Sequence, residues 1–150
     1  MNSDVSMDLL RLAGAGFNCS QILIKLGLEL QHRDNSDLVR AVTGLGHGMG
    51  FCGETCGALT GGICLISLYA GKGTAEEQPH HRFELMIAEL VEWFRDTVCA
   101  GYGGIRCADI LSDTQGKTDT GRCGDLVQKV YAKVMEILTA SDIDPSLAKD

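Results

Sequence analysis

Apolar residues recur along the chain with the three-to-four-residue spacing of α-helices, and no stretch shows the alternation of a half-buried β-strand. Glycine-rich or polar segments separate the apolar stretches. The pattern predicts helices over residues 5–13, 19–31, 37–43, 56–70, 79–98, 105–111 and 122–139. We therefore expect an all-α, single-domain bundle of about five to seven helices over residues 1–150, with a polar, frayed tail from about residue 141.

The most apolar of these helices follows a glycine-rich loop. Residues 44–50 contain too much glycine for a helix interior, whereas residues 58–70 are almost wholly apolar and long enough for a buried helix. Thr55 is an acceptable N-cap, which places Cys56 in the first turn. Backbone N–H groups and the positive end of the helix dipole favour a thiolate there, so we expect Cys56 to be an activated sulfur.

Three glycines inside this central helix indicate close packing. Gly57, Gly61 and Gly62 each cost the helix up to about 1 kcal/mol relative to alanine. Their presence predicts a neighbour that approaches too closely to leave room for a β-carbon. That neighbour is either another helix or a cofactor.

Four cysteines fall in the first turns of four predicted helices: Cys19, Cys56, Cys107 and Cys123. Asn18 can cap the second helix, with Gln21 completing a capping box. Helix N-termini offer N–H donors and positive dipole ends that offset the charge of grouped thiolates. If the four helix starts converge, they supply the four thiolates that iron–sulfur clusters and tetrahedral zinc both take. The alternative is that each cysteine is a small apolar core residue.

Composition and charge restrict the functional classes. With 150 residues, 45% of them hydrophobic, the chain fits one domain with a core. Seven cysteines, an odd number, and an N-terminus without a secretory signal favour a cytoplasmic protein whose thiols serve metal binding or redox chemistry. The net charge of −7, with no basic cluster, argues against nucleic acid and other anionic partners. Residues 58–70 are too few to span a bilayer.

The cysteine pattern resembles that of the C-GCAxxG-C-C family of candidate redox-active proteins. The family is named for one early cysteine, a Cys-Gly-Ala-x-x-Gly-like motif and two late cysteines. The corresponding segments here are Asn18-Cys19-Ser20-Gln21, Cys56-Gly57-Ala58-Leu59-Thr60-Gly61, Arg106-Cys107-Ala108-Asp109 and Cys123-Gly124-Asp125. Thr55 stands where the family name has a glycine before the cysteine. The resemblance covers about residues 9–138.

This resemblance implies a redox-active protein that binds a prosthetic group, for which an iron–sulfur cluster is most often proposed. It also implies that the protein works beside an oxidoreductase or a transporter. The cofactor-binding residues carried over from the family are the four cysteines Cys19, Cys56, Cys107 and Cys123.

The other three cysteines and one histidine have separate interpretations. Cys52 lies four residues before Cys56, which on a helix puts the two α-carbons about 6 Å apart, so Cys52 is either a strained redox partner or an extra ligand. Cys64 and Cys99 are expected to be core or incidental residues rather than ligands. His47 is a possible extra metal ligand, or a loop histidine with no such role. Glycines 48, 50 and 53 have dinucleotide-loop spacing, but no strand precedes them, so we predict no nucleotide site there.

Three functional hypotheses follow. The first is a redox protein whose four cysteines hold an iron–sulfur cluster for electron transfer to a partner oxidoreductase or carrier. The second is a thiol–disulfide protein using Cys52 and Cys56, although the chain lacks a Cys-x-x-Cys motif. The third hypothesis is a structural zinc module. It is less favoured because zinc modules usually carry paired cysteines, whereas the four cysteines here are widely dispersed. No sequence feature predicts an oligomeric state.

Overall fold

The computed structural model describes residues 3–149, and within that range the chain forms seven helices and no β-strand. The helices are α1 (Ser3–Gly14), α2 (Cys19–Leu30), α3 (Ser36–Ala41), α4 (Gly57–Ala70), α5 (Phe83–Trp93), α6 (Cys107–Ile110) and α7 (Thr120–Ala140). Short 3-10 segments cover Thr43–Leu45 and Ser112–Thr114. The predicted all-α fold is therefore confirmed.

Helix α4 lies at the centre of the bundle, packed against α2, α5 and α7. Leu59, Leu65 and Ile66 of α4 are almost completely buried, as are Leu23 of α2 and Leu138 of α7. Each such side chain contributes about 1.5–3 kcal/mol through removal of its apolar surface from water. The hydrophobic effect thus fixes α4 between its neighbours, and the N-terminal ends of several helices meet above this core.

The glycines of α4 allow two helices to approach it closely. A β-carbon on Gly61 would lie 2.7 Å from the Cα atom of Ser20 in α2. A β-carbon on Gly62 would lie 2.6 Å from a methyl group of Val130 in α7. The sequence predicted that the close neighbour is either a helix or a cofactor. At Gly61 and Gly62 the neighbour is a helix.

The glycine-rich loop winds as a left-handed turn, Gly46–Phe51. Residues 47–51 all have φ angles between 55° and 69°. This conformation costs a residue with a β-carbon about 1–2 kcal/mol, and His47, Met49 and Phe51 all adopt it. The turn is held by the Glu54 N–H, which donates to the Gly48 carbonyl at 3.0 Å, and by stacking of the His47 and Phe51 rings at 4.1 Å.

Substitutions at the tip of this turn are expected to change stability in opposite directions. Met49→Gly should stabilise the protein by about 1 kcal/mol, because glycine adopts positive φ without steric cost. Gly50→Ala should destabilise it by about 1 kcal/mol through backbone strain alone, since no atom lies within 4 Å of the added carbon. Urea unfolding of both variants measures the two effects. Shifts of the same sign would contradict a left-handed turn.

Helix boundaries agree with the predictions to within a few residues. The Asn18–Gln21 capping box is present, with Gln21 N–H donating to Asn18 Oδ1 at 3.1 Å. Asn35 caps α3, where its Oδ1 accepts a hydrogen bond from the Leu38 N–H at 3.1 Å. The prediction that Thr55 caps α4 was wrong, because Cys56 itself occupies the N-cap position.

The fifth helix starts later than predicted. It begins at Phe83 rather than in the turn containing Pro79, and it continues beyond Trp93 as a π-helical segment, Phe94–Val98. Phe94 is fully buried in the core. No helix within residues 3–149 combines the length and hydropathy needed to cross a bilayer.

The C-terminal segment is anchored, so the predicted frayed tail was wrong. The Tyr69 hydroxyl donates to the Pro145 carbonyl at 2.7 Å, and the Lys149 ammonium donates to the Gly71 carbonyl at 2.8 Å. Ser141 is buried and Ile143 packs against the core. These contacts join the tail to the C-terminal end of α4, a long-range interaction that local polarity does not reveal.

Candidate four-cysteine site

A cavity of about 250 Å³ lies where the starts of several helices meet. All four cysteines singled out by the sequence line it: Cys19, Cys56, Cys107 and Cys123. Cys19 is the first residue of α2, Cys56 is the N-cap of α4, and Cys107 is the first residue of α6. The predicted convergence of helix starts on one place is therefore present in the structure.

A short backbone pairing holds Cys56 and Cys107 on neighbouring segments. Thr55 and Arg106 form an isolated antiparallel bridge. On either side of it, the Cys56 N–H donates to the Ile105 carbonyl at 2.9 Å and the Cys107 N–H donates to the Glu54 carbonyl at 2.7 Å. Both cysteine backbones are thus fixed before their helices begin.

Cys19 is positioned by the capping interactions at the start of α2. The hydroxyl of the next residue, Ser20, lies 2.8 Å from Asn18 Oδ1 and 2.9 Å from the Val42 carbonyl oxygen, and its single proton can be donated to either acceptor. Gly57 leaves room for the Cys19 sulfur, since a β-carbon on Gly57 would overlap Sγ. Among the α4 glycines, Gly57 is therefore the one that accommodates a thiol of the site.

Cys123 reaches the cavity from α7. That helix begins at Thr120 with Asp119 as its N-cap, so Cys123 is its fourth residue and lies slightly further along than predicted. The neighbouring Arg122 guanidinium donates to the Ile110 carbonyl and to Asp113, both on the α6 side. This pair of contacts ties the start of α7 to the segment that carries Cys107.

Apolar side chains form most of the remaining cavity wall. They include Leu9, Ile22, Leu111, Leu126 and Val127. His47 and Gly48 of the left-handed turn also line it, and a β-carbon on Gly48 would lie 2.7 Å from the β-carbon of Cys107. The site is thus a group of thiols in a largely apolar, partly open cavity, with Cys56 buried, the other three cysteines half-buried and one histidine in the lining.

Burial controls the protonation of these thiols. It raises the pKa of Cys56 to about 12, with smaller contributions in the same direction from the Cys19 and Cys123 sulfurs. The backbone N–H groups of Ala58 and Leu59 act in the opposite direction, but the sulfur makes no capping hydrogen bond. The prediction that the helix start lowers the pKa of Cys56 and activates its sulfur was therefore wrong for the free protein. Desolvation raises this pKa by more than the helix N-terminus lowers it.

Two other cavity thiols behave in the same way. Burial raises the pKa of Cys107, and the nearby Cys19 sulfur adds to the effect. Burial also raises the pKa of Cys123, assisted by the Cys19 and Cys107 sulfurs. These mutual influences mean that the sulfurs are close enough for a charge on one to disfavour a charge on another. Any metal that binds them must displace protons.

The donor set and the shape of the cavity fit a polyatomic thiolate-bound group. Four thiols are the ligand set that iron–sulfur clusters take. Within residues 3–149, no three histidine, cysteine or carboxylate side chains converge closely enough to hold one metal ion. The sulfurs instead surround a space, and glycines at positions 48 and 57 keep that space free of β-carbons.

The remaining cysteines lie elsewhere. Cys52 is exposed and is not part of the cavity wall, so the structure does not bring it to the other thiols. Cys99 is buried in the core, where burial raises its pKa to about 11, and Cys64 packs against the core. Both lie in or against the core, as predicted for core or incidental residues. His47 lines the cavity, as an extra ligand would.

The fold and site together define an all-α protein with four cysteines lining one partly open cavity. Residues 17–137 match the family described as "Putative redox-active protein (C_GCAxxG_C_C)", and the chain belongs to this family. No curated protein matches the chain. No solved structure matches it.

Proposed function

We propose that the protein is a redox protein that holds an iron–sulfur cluster through Cys19, Cys56, Cys107 and Cys123 and exchanges electrons with a partner oxidoreductase or electron carrier. The observation that supports this most is that four thiols from four separate helix starts line one cavity of about 250 Å³. A bound iron–sulfur cluster would supply one-electron chemistry at potentials set by its surroundings.

The residues of this chain would bind the cluster through their sulfurs and restrict the access of water to it. On binding, each thiol loses its proton and becomes a thiolate ligand. The apolar wall, including Leu111 and Val127, would restrict the access of water to a bound cluster, most completely at the buried Cys56, and solvent access is one control of a cluster's redox potential. A thiol-bound cluster requires reduced cysteines, so we propose that the protein works in a reducing compartment such as the cytoplasm.

The two other hypotheses have less support. Structural zinc is usually held by paired cysteines that lie close together in sequence, whereas the four thiols here come from four separate helix starts. The thiol–disulfide hypothesis needs Cys52 beside Cys56, but Cys52 is exposed and Cys56 is buried. Neither alternative is favoured by a specific observation in the described part of the chain.

The test is a set of serine substitutions with matched cysteine controls. Wild-type protein, purified and reconstituted without oxygen, is expected to show broad visible absorption with matching iron and acid-labile sulfide. Serine at position 19, 56, 107 or 123 should each reduce bound iron and sulfide severely. Cys52→Ser and Cys64→Ser remove thiols outside the cavity and should leave cofactor loading unchanged.

Circular dichroism of each variant separates loss of the cofactor from loss of the fold. A colourless wild type that is folded yet binds neither iron nor sulfide would overturn the proposal. Stoichiometric zinc without sulfide would replace it with the structural-zinc hypothesis. Equal loss of iron in the Cys64→Ser control would mean that the cavity thiols are not the specific ligands.

A further inference from the structure

A second concave surface shares one lining residue, Phe17, with the cysteine cavity. It is an open groove of about 560 Å³ between α2, α3 and the turn that joins them. Phe17 lines both the groove and the cavity. The groove falls within the size range of small-molecule sites, about 300–1,000 Å³.

The charge of the groove is opposite to that of the chain. Its charged lining residues are Lys25, Arg33, Arg40 and Asp34, three cations and one carboxylate. The whole chain carries −7. A local excess of cations in an acidic protein marks the surface most able to attract an anion.

Two of these cations have no carboxylate partner within 4.0 Å in residues 3–149. Arg40 is paired with Asp37 at 2.8 Å. Lys25 instead lies 5.5 Å from the centre of the Phe17 ring, and the side chain of Arg33 donates only a long bond, 3.4 Å, to Gln31 Oε1. Both side chains are therefore available to an incoming anion.

Polar and apolar groups in the same groove suit a small organic anion. Thr43 and Ser36 bring hydroxyl groups to its lining, and Phe17 brings aromatic surface. The Gln21 amide is already committed to the Val39 carbonyl and the Thr43 hydroxyl, which fixes the wall. Guanidinium and ammonium groups above such a surface are the usual means of holding phosphate.

We propose that this groove binds a phosphorylated small molecule of nucleotide size, with its phosphate held by Lys25 and Arg33. The overall charge argues against extended anions such as nucleic acid, but a compact anion would contact only the cationic groove. Because Phe17 lines both the groove and the cavity, the bound molecule would contact a residue that also borders the cysteine site. Binding of this molecule does not depend on the proposed function.

The experiment is calorimetric titration at low salt with ADP, adenosine and inorganic pyrophosphate as probes. ADP is expected to bind saturably and adenosine, which lacks phosphate, at least about tenfold more weakly. Lys25→Gln/Arg33→Gln should weaken ADP binding by about tenfold or more. Pyrophosphate binding as tight as that of ADP would show that the phosphates alone are recognised.

A matched control removes the same charges elsewhere. Lys72→Gln/Arg82→Gln deletes one lysine and one arginine that also lack a carboxylate within 4.0 Å in residues 3–149, and it should change the dissociation constant less than about twofold. The proposal is overturned if neither ADP nor pyrophosphate binds saturably, or if both double variants lose affinity equally. Repeating the titration on Cys56→Ser keeps the outcome independent of cofactor loading.

Discussion

Gly61→Ala is expected to destabilise the protein by about 3 kcal/mol, the upper end of the usual cost of overpacking a core. The added carbon would lie 2.7 Å from the Ser20 Cα and 3.2 Å from the Ser20 carbonyl oxygen. Both are backbone atoms, which cannot rotate away as a side chain can. Helices α2 and α4 must therefore move apart, and urea unfolding measures the cost.

Gly124→Ala is the matched control for this prediction. Gly124 also lies in a helix beside the cavity, but the nearest atom to its added carbon is a Leu9 methyl at 3.6 Å, an ordinary contact. Alanine there should stabilise the protein by up to about 1 kcal/mol through its higher helix propensity. If the two variants lost similar stability, close approach of α2 to α4 would not be the reason for Gly61.

The separation of α2 and α4 also determines the site, because Cys19 begins one helix and Cys56 caps the other. A Gly61→Ala protein that remains folded should therefore bind iron and sulfide less completely than the Gly124→Ala protein. The glycine spacing of the cysteine motif thus serves both the fold and the proposed ligand set.

Local signals explain what the sequence could predict. The capping pair Asn18 and Gln21 placed the start of α2 correctly, because both partners lie within one turn. A continuous apolar run located α4 and apolar periodicity located α7, because both signals depend only on residues within the helix itself. The four cysteines could be grouped because each one stands at a helix start, which is a property of its own neighbouring residues.

The errors involve contacts between distant parts of the chain. Nothing near Thr55 indicates its bridge to Arg106, and nothing near Pro145 indicates the hydroxyl of Tyr69. The glycines of the left-handed turn adopt positive φ easily. His47, Met49 and Phe51 adopt it as well, although residues with a β-carbon disfavour this conformation. The protonation of Cys56 was misjudged because a helix start is visible in sequence whereas the depth of burial is not.

The buried thiol of Cys56 should make the free protein lose stability at alkaline pH. Its pKa is raised from 9.0 to about 12, so an unfolded chain releases this proton before the folded one does. The stabilising contribution is therefore fully present below pH 9 and is lost as the pH rises toward 12. The rise corresponds to about 4 kcal/mol in total, or about 1.4 kcal/mol per pH unit within that window.

Comparison with Cys56→Ala isolates this contribution. Burial also raises the pKa of Tyr69 and Tyr131, but both tyrosines are present in both proteins, so their effects cancel in the difference. Urea unfolding of the metal-free proteins at pH 8.5 and 10.5 should show wild type losing about 2 kcal/mol more than the variant. Cys52→Ala removes an exposed thiol and serves as the control. A difference between wild type and Cys56→Ala that does not change with pH would mean that water reaches the sulfur.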